Sequence, residues 1–373
     1  GQALPNGKSM RSLSMVSTQD GAPGYFFMLD DVWAENAGDA ADIVYRPYSS
    51  EYAAEEENGS YKWTVKGQSG SPVGLKIFLS EKADDADIID GVIADNTYPE
   101  EIKSLFAKYY TDSKTGKRRI GTVLMPYKND EEPPEISRFD TKDGHGTKIS
   151  FANGVNDYII YNNDNTQKTY YIPPESSNRA GGYNRLRYAA DWLICRQING
   201  TNGFMFAQNA KECFAGEEGF KSDKEVTFYK KGGKCIVSCP DKIKLTLYYY
   251  GLSEVKCADL SEKSNGEFSK GITIELGKGT YTLELEFDES KKTAEISASK
   301  SAHGRFTHMT IIDTESGKVL LGGNEYDGLK ENKPQYYEGS IYVPQRFAEE
   351  FIGNIKCDSI NIDGISYVPL RRY

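Results

Sequence analysis

The sequence predicts a mainly β protein, with a large antiparallel β-sandwich followed by a small C-terminal α+β module. Segments that alternate apolar and polar residues recur about every ten residues between glycine-containing turns, as sandwich strands do. Of the 373 residues, 36 are glycine and 26 are tyrosine, which is typical of strands joined by tight turns. The chain end repeats the motif Tyr-Val-Pro-x-Arg, at Tyr342–Arg346 and Tyr367–Arg371, and this repeat indicates a separate small unit.

The first strong element is the apolar run GYFFMLDDVW, at Gly24–Trp33. It is too short for a buried helix and rich in aromatic residues. It therefore predicts a strand that is covered on both faces.

One helix is predicted in the first part of the chain. Pro99 stands at its start, and Glu100 and Glu101 occupy its first turn. An apolar stripe with spacing i, i+3, i+4, i+7 follows, formed by Ile102, Leu105, Phe106 and Tyr109. Such a stripe is typical of an amphipathic helix.

A ladder of strands is predicted from Lys148 to Asp288. The segment EVTFYKKGGKCIVS predicts a hairpin around Gly232–Gly233, and GITIELGKGTYTLELEF predicts a second hairpin around Gly277–Gly279. In KIKLTLYYY the apolar and polar residues alternate strictly, so one face of that strand is expected to be exposed to solvent.

Apolar periodicity lapses in the segment ESKKTAEISASKSAHG, which predicts a domain boundary there. We expect a β-sandwich at residues 1–300 and the tail module at residues 301–373. In the tail, Pro344 is expected to end a strand and begin a helix that packs Phe347 and Phe351 onto a sheet. The later segment INIDGIS predicts a hairpin with an Asp-Gly turn.

Charge and hydropathy exclude some partners. The net charge is −10 and the pI is about 5.1, so nucleic acid and anionic membrane surfaces are not expected as partners. The sequence also has no apolar run of about eighteen residues, so no membrane insertion is expected.

The cysteines have irregular spacing and no CxxC pair. We interpret them as mostly buried free thiols, with one or two cross-strand disulfides as the alternative. The six positions are Cys195, Cys213, Cys235, Cys239, Cys257 and Cys357.

No catalytic residues, metal site or cofactor are predicted from motifs. The sequence lacks the motifs GxSxG, HExxH, the phosphate-binding loop and a GxGxxG segment after a strand. Its three histidines are His145, His303 and His308. His303 and His308 are five residues apart, so on a strand they would point to opposite faces, and no third ligand accompanies them.

Six residues are candidates for carbohydrate binding. Trp33, Trp63 and Trp192 have flat faces that suit sugar rings, with burial in strands as the alternative. Lys117, Arg118 and Arg119 form the one compact basic cluster, which suits an anionic glycan, with a solvated turn as the alternative.

Several stretches resemble a known family. The segments PGYFFMLDDVWAENAGDAADIVYRPYS, IGTVLMPY, NGVNDYIIYNN and ADWLICRQINGTNGFMFAQNA resemble the C-terminal β-domain of heparinase II/III-like polysaccharide lyases, over about residues 10–285. In that family most catalytic groups lie in an N-terminal helical toroid, and no helical array occurs in this sequence.

The segments YVPQRFAEEFIG and ISYVPLR resemble the domain named after the copper amine oxidase N-terminus, a stalk-like appendage of secreted Gram-positive proteins. We find no copper site in it.

The two resemblances imply a function. They suggest a non-catalytic, β-rich portion of a secreted or cell-surface bacterial protein that degrades polysaccharide. It would support an N-terminal catalytic domain outside this chain, and its partner would be a polysaccharide or cell-wall glycan. The alternatives are a complete lyase that acts on uronate-containing glycans and a cell-surface adhesion or structural protein.

Overall fold

The structure is a computed structural model of the chain. It describes residues 7–292 except for residues 48, 50, 56–57, 67–71, 95–98, 129–130, 142–143, 163–167, 172–184, 199–200, 258–259 and 264–270. Beyond residue 292 it describes residues 310–312, 319–321, 324–326, 335–337, 340–345, 359–362 and 365–370. The chain divides into two compact units, residues 1–172 with 185–286 and residues 173–184 with 287–373.

The described part of the chain is mainly strand, as the sequence predicts. The first twelve strands are β1 (Gly7–Val16), β2 (Tyr25–Ala34), β3 (Ala40–Tyr45), β4 (Tyr52–Glu55), β5 (Ser60–Lys66), β6 (Pro72–Leu79), β7 (Asp85–Ala94), β8 (Pro99–Tyr110), β9 (Lys117–Lys128), β10 (Glu135–Thr141), β11 (Gly144–Ser150) and β12 (Val155–Asn162). The next eleven are β13 (Lys168–Tyr171), β14 (Arg185–Ala189), β15 (Trp192–Ile198), β16 (Thr201–Ala215), β17 (Glu218–Lys231), β18 (Lys234–Cys239), β19 (Ile243–Tyr248), β20 (Leu252–Cys257), β21 (Leu260–Lys263), β22 (Ile272–Leu276) and β23 (Gly279–Phe287). The tail contributes β24 (Thr310–Ile312), β25 (Val319–Leu321), β26 (Asn324–Tyr326), β27 (Gln335–Tyr337), β28 (Ser340–Pro344), β29 (Ile360–Ile362) and β30 (Ile365–Leu370). A 3₁₀ turn at Ala152–Gly154 precedes β12.

The first unit contains a middle sheet that is covered on both faces. Its strand order is β1-β2-β9-β6-β5-β4. Tyr25, Phe27 and Leu29 pack with residues of β11, β12, β15 and β16, which belong to a larger sheet. Met28 and Val32 point the other way and pack with residues of a small sheet ordered β3-β8-β7. The expectation that Gly24–Trp33 is a strand covered on both faces is confirmed.

The predicted helix after Pro99 is wrong, because these residues form strand β8. This strand lies between β3 and β7, which pair with it on both sides. Leu105, Ala107 and Tyr109 are fully buried against the middle sheet. They alternate along the chain, so the segment satisfies a period of two as well as the helical period, and neighbouring strands decide between them.

The large sheet bends at its long strand β17. β17 pairs with β19 through Gly219–Ser222 and with β18 through Thr227–Lys231. Phe220 and Phe228 lie on this same strand, yet their rings stack with centroids 4.0 Å apart. The strand therefore bends sharply between these two residues, and the sheet divides into two branches.

Of the two predicted hairpins, the first is confirmed and the second is wrong. Lys231 pairs with Lys234 around Gly232–Gly233. By contrast, β22 pairs with β19, whereas β23 pairs with β18. The Gly277–Gly279 segment thus turns a corner between the two branches. Alternation alone did not reveal that β22 and β23 have different partners. It determines which face of the sheet each side chain occupies, but it does not determine which strand lies next to it.

The five cysteines of the described part are free and buried: Cys195, Cys213, Cys235, Cys239 and Cys257. This agrees with the interpretation as buried thiols. Cys357 lies outside the described residues.

The second unit contains two small sheets, ordered β24-β25-β26 and β27-β28-β30-β29. The predicted INIDGIS hairpin is confirmed, because Ile362 pairs with Ile365. The predicted helix with Phe347 and Phe351 lies outside the described residues, as does the boundary expected near residue 300.

Candidate binding site

Two of the three tryptophans belong to the cores. Trp63 is fully buried and its Nε1 donates to the Lys103 carbonyl at 3.0 Å. Trp192 is 2% exposed, and its Nε1 donates to Gln208 Oε1 at 2.9 Å. Buried rings cannot present a face to a sugar, so the alternative of burial holds for both.

Trp33 is the tryptophan that remains partly exposed. It lies near the end of β2, where Lys8 of β1 and Lys117 of β9 pair with it from either side. Residues that pair directly share one face of a sheet, so all three side chains lie together. Lys8 Nζ lies 5.0 Å from the Trp33 ring centroid. We call this set the Trp33 platform.

The lysines of the Trp33 platform are exposed. Within the described part of the chain, neither Lys8 nor Lys117 has a carboxylate at ion-pair distance. Both ammonium groups are therefore open to an anionic group from outside.

The other two members of the predicted basic cluster are not part of the Trp33 platform. Arg119 Nε binds Asp31 Oδ1 at 2.6 Å, and its Nη1 donates to the Asn162 carbonyl at 2.6 Å. Burial opposes the charge, but the carboxylates of Asp31 and Asp191 outweigh it, so the pKa of Arg119 is raised. This side chain joins the middle sheet to the large sheet and is not open to a ligand.

Arg118 points to the opposite face of β9. Its guanidinium binds the Glu81 carboxylate through Nη2 and Nε, and its Nη1 donates to the Tyr110 carbonyl at 2.7 Å. Alternation along β9 thus removes Arg118 from the face of Lys117. Arg119 shares that face but is held by Asp31, so only Lys117 of the three basic residues belongs to the Trp33 platform.

His145 lies at the same junction as Arg118. Its Nε2 is 3.6 Å from Glu81 Oε2, and its ring is 5.2 Å from that of Tyr161. Among the described residues, no group of three His, Cys, Asp or Glu side chains could hold a metal ion. His303 and His308 lie outside the described residues.

Lys8 is the platform residue that sequence reasoning missed. The signal that could have found it is the hairpin of β1 and β2, whose chain reversal at Gln19–Ala22 places Lys8 opposite Trp33. The dipeptide Asp20-Gly21 stands at that reversal with φ values of 57° and 76°, which is the turn chemistry that joins the two strands of a hairpin.

No family model matches the chain, and no curated protein matches its sequence. Both resemblances therefore stay predictions. In the part of the chain that the structure describes, no helix is long and apolar enough to cross a membrane.

Proposed function

We propose that this chain is a non-catalytic, β-rich portion of a secreted bacterial polysaccharide-degrading protein, where it supports a catalytic domain and binds glycan at the Trp33 platform. The observation that carries the proposal is the partly exposed Trp33 ring between two lysines that have no carboxylate at ion-pair distance among the described residues.

The chemistry of the platform suits a sugar chain with acidic groups. An aromatic face packs against the apolar face of a sugar ring, and ammonium groups attract its carboxylate or sulfate. Neighbouring strands lie about 4.8 Å apart, so the Cα atoms of Lys8 and Lys117 are about 10 Å apart. The ammonium of Lys8 now lies over the ring, a contact worth only about 0.5–1 kcal/mol at an exposed site, so a ligand can displace it.

The way in which the layers are joined is consistent with the proposed supporting role. Arg119 links the middle sheet to the large sheet through Asp31 and the Asn162 carbonyl. The middle sheet is also packed on both faces, which leaves little freedom for the layers to slide. A rigid body of this kind suits a domain that holds a catalytic partner in place. The tail at residues 301–373 would act as its stalk.

Glycan binding tests the proposal. We expect calorimetric titration with an acidic polysaccharide to detect salt-sensitive binding, and Trp33→Ala to weaken it by about tenfold or more, equivalent to about 1.4 kcal/mol. Lys117→Ala should weaken binding less, and Lys114→Ala, an exposed lysine of the adjacent turn, should not change it. Unchanged affinity of Trp33→Ala would overturn the platform.

Activity tests the other half of the proposal. Incubation of the chain with uronate-containing glycans should produce no rise in the ultraviolet absorbance of unsaturated uronates. A rise would support the alternative, a complete lyase.

A further inference from the structure

Strand β1 forms an uncovered edge of the middle sheet. It pairs with β2 on one side, and within the described part of the chain no strand pairs with its other side. Its ten residues keep an unbroken register with β2 and include no proline. Natural sheets commonly protect an exposed edge with a proline, a bulge or a very short strand. Because β1 has none of these, its edge can pair with a further strand.

The side chains of β1 add an apolar surface to this edge. Met10, Leu13 and Met15 are 54%, 60% and 70% exposed. Seven large apolar residues are exposed in the described part of the chain, and three of them lie on this one strand. Exposed apolar side chains that cluster in this way are typical of a surface that binds another protein.

The charges of β1 define the kind of strand that fits its edge. The strand carries two basic residues, Lys8 and Arg11, and no acidic residue. Arg11 contacts Asp30 through Nε and Nη2, but its side chain is 48% exposed. The protein as a whole has a net charge of −10, so this basic strand differs from the rest of the chain. An extended segment that is both acidic and apolar is therefore complementary to β1.

Strand β7 of the same protein has these properties. It also has ten residues, DADIIDGVIA, and it forms an edge of the small sheet beyond β8. It contains three aspartates and no basic residue, and Ile89 is 45% exposed. Asp90 and Asp85 contact lysines of β8, but the two carboxylates are 82% and 60% exposed, and such exposed pairs are weak. The two strands thus match in length and are opposite in charge.

The backbone directions determine which residues of the two edges are free to pair. Ala34 N donates to the Gly116 carbonyl, so the even-numbered residues of β2 face β9 and the odd-numbered ones face β1. The register of β1 with β2 then turns the N–H groups of odd-numbered β1 residues to the uncovered edge. Likewise, Thr111 N donates to the Asp39 carbonyl, and the registers of β8 with β3 and β7 leave the N–H groups of even-numbered β7 residues uncovered.

One antiparallel register joins these free groups over the full length of both strands. It places Gly7 opposite Ala94 and Val16 opposite Asp85 of another copy, so that odd-numbered residues of β1 meet even-numbered residues of β7. Residues that are directly opposite share one face of a sheet. On the face of Leu13, the register therefore brings together three pairs: Arg11 with Asp90, Leu13 with Ile88, and Met15 with Ala86.

We propose that β1 of one copy pairs with β7 of a second copy, so that the protein associates head to tail through its sheet edges. The two strands belong to different edges of the first unit, because β3 rather than β7 is the strand of the small sheet that packs near β2. Each copy offers one edge of each kind, so the contact is heterologous. Such contacts continue from copy to copy unless the rotation closes a ring. The proposal does not depend on the proposed function.

Sedimentation velocity of the whole chain over a range of concentrations tests this contact, at about 0.15 M salt to screen the net charge. We expect the mass to rise from 41.6 kDa through successive multiples. Asp90→Lys places a lysine opposite Arg11, and Leu13→Glu places a carboxylate beside Asp90, so each should weaken association by about tenfold or more. Asp241→Lys is the matched control, because it makes the same charge change at a 65% exposed aspartate outside both strands, and it should associate like the parent.

A mixture of the two variants gives the decisive result. Asp90→Lys keeps an intact β1 and Leu13→Glu keeps an intact β7, so the mixture should form a one-to-one dimer and nothing larger. Both sites are more than half exposed, so both variants should fold and melt as the parent does. Association of Asp90→Lys alone at the strength of the parent would indicate pairing between two β1 strands and would overturn the proposal. A parent or a mixture that stays monomeric at all concentrations would overturn it as well.

Discussion

Val343 and Val368 lie directly opposite each other in the antiparallel strands β28 and β30. Around them Tyr342 pairs with Pro369, and Pro344 pairs with Tyr367. The two Tyr-Val-Pro copies therefore pair with one another about a local twofold axis. Pro344 lies beyond the last residue of β28 that pairs with β27, and Pro369 lies beyond the last residue of β30 that pairs with β29. At these positions the sheet does not require the N–H that proline lacks.

The first prediction concerns this pairing. Val343 is fully buried, so Val343→Ala should destabilise the second unit by about 2 kcal/mol through lost burial and a small cavity. Differential scanning calorimetry of the whole chain should show one transition that moves and another that does not. Ile236→Ala, at a site that is 43% exposed in the first unit, should change neither by more than about 0.5 kcal/mol. A shift of the first unit instead would contradict the pairing.

The second prediction concerns a buried ion pair. Arg196 binds Asp157 through Nε and Nη2, each at 2.7 Å, and both side chains are fully buried. The Tyr25 hydroxyl also donates to Asp157 at 2.8 Å. Arg196→Met would leave a buried carboxylate without its counterion and should lower the free energy of unfolding by about 3–5 kcal/mol in urea titrations.

The matched control for the ion pair is Lys224→Met. Lys224 pairs with Asp241, and both side chains are largely exposed. Loss of this pair should cost at most about 1 kcal/mol. Similar costs for the two variants would show that burial does not govern the Arg196–Asp157 pair.

The third prediction concerns alkaline pH. Burial raises the pKa of the Cys195 and Cys235 thiols to about 12. The folded protein therefore holds these protons while the unfolded chain releases them near pH 8.5. The stability is complete below that pH and is lost as the pH rises towards 12, by about 1.4 kcal/mol per pH unit and thiol.

Unfolding free energies measured from pH 8 to pH 12 check this effect. Cys195→Ala should reduce the slope of the unfolding free energy against pH by the amount that corresponds to about one proton released on unfolding. Cys257→Ala, at a site that is 8% exposed, should reduce it less. An unchanged slope in Cys195→Ala would mean that its thiol ionises equally in both states.

The fourth prediction concerns close packing between the sheets. Gly121→Ala places a methyl group 2.4 Å from Tyr161 Cε1, so overpacking should cost about 1–3 kcal/mol. Gly91→Ala is the control, because its nearest neighbour, Ile102 Cγ1, is 3.8 Å away. Equal melting temperatures of the two variants would contradict the contact of Tyr161 with Gly121.

Local sequence was sufficient for the features that depend on neighbouring residues. The mainly β class follows from period-two alternation, and the cover on both faces of Gly24–Trp33 follows from its unbroken apolar run. The hairpins at Gly232–Gly233 and at INIDGIS follow from turn residues that accept unusual backbone angles. In each case the relevant interactions span only a few residues.

Tertiary structure decided the features that depend on distant strands. The residues after Pro99 fit a helix and a strand equally well, until β3 and β7 supplied backbone partners on both sides. Alternation separates Lys117 from Arg118 but does not reveal that Lys8 and Trp33 share the face of Lys117. The contact of Arg196 and Asp157 with Tyr25 depends on the stacking of two sheets, because the pairing register and packing of distant segments are set by the whole core rather than by any local pattern.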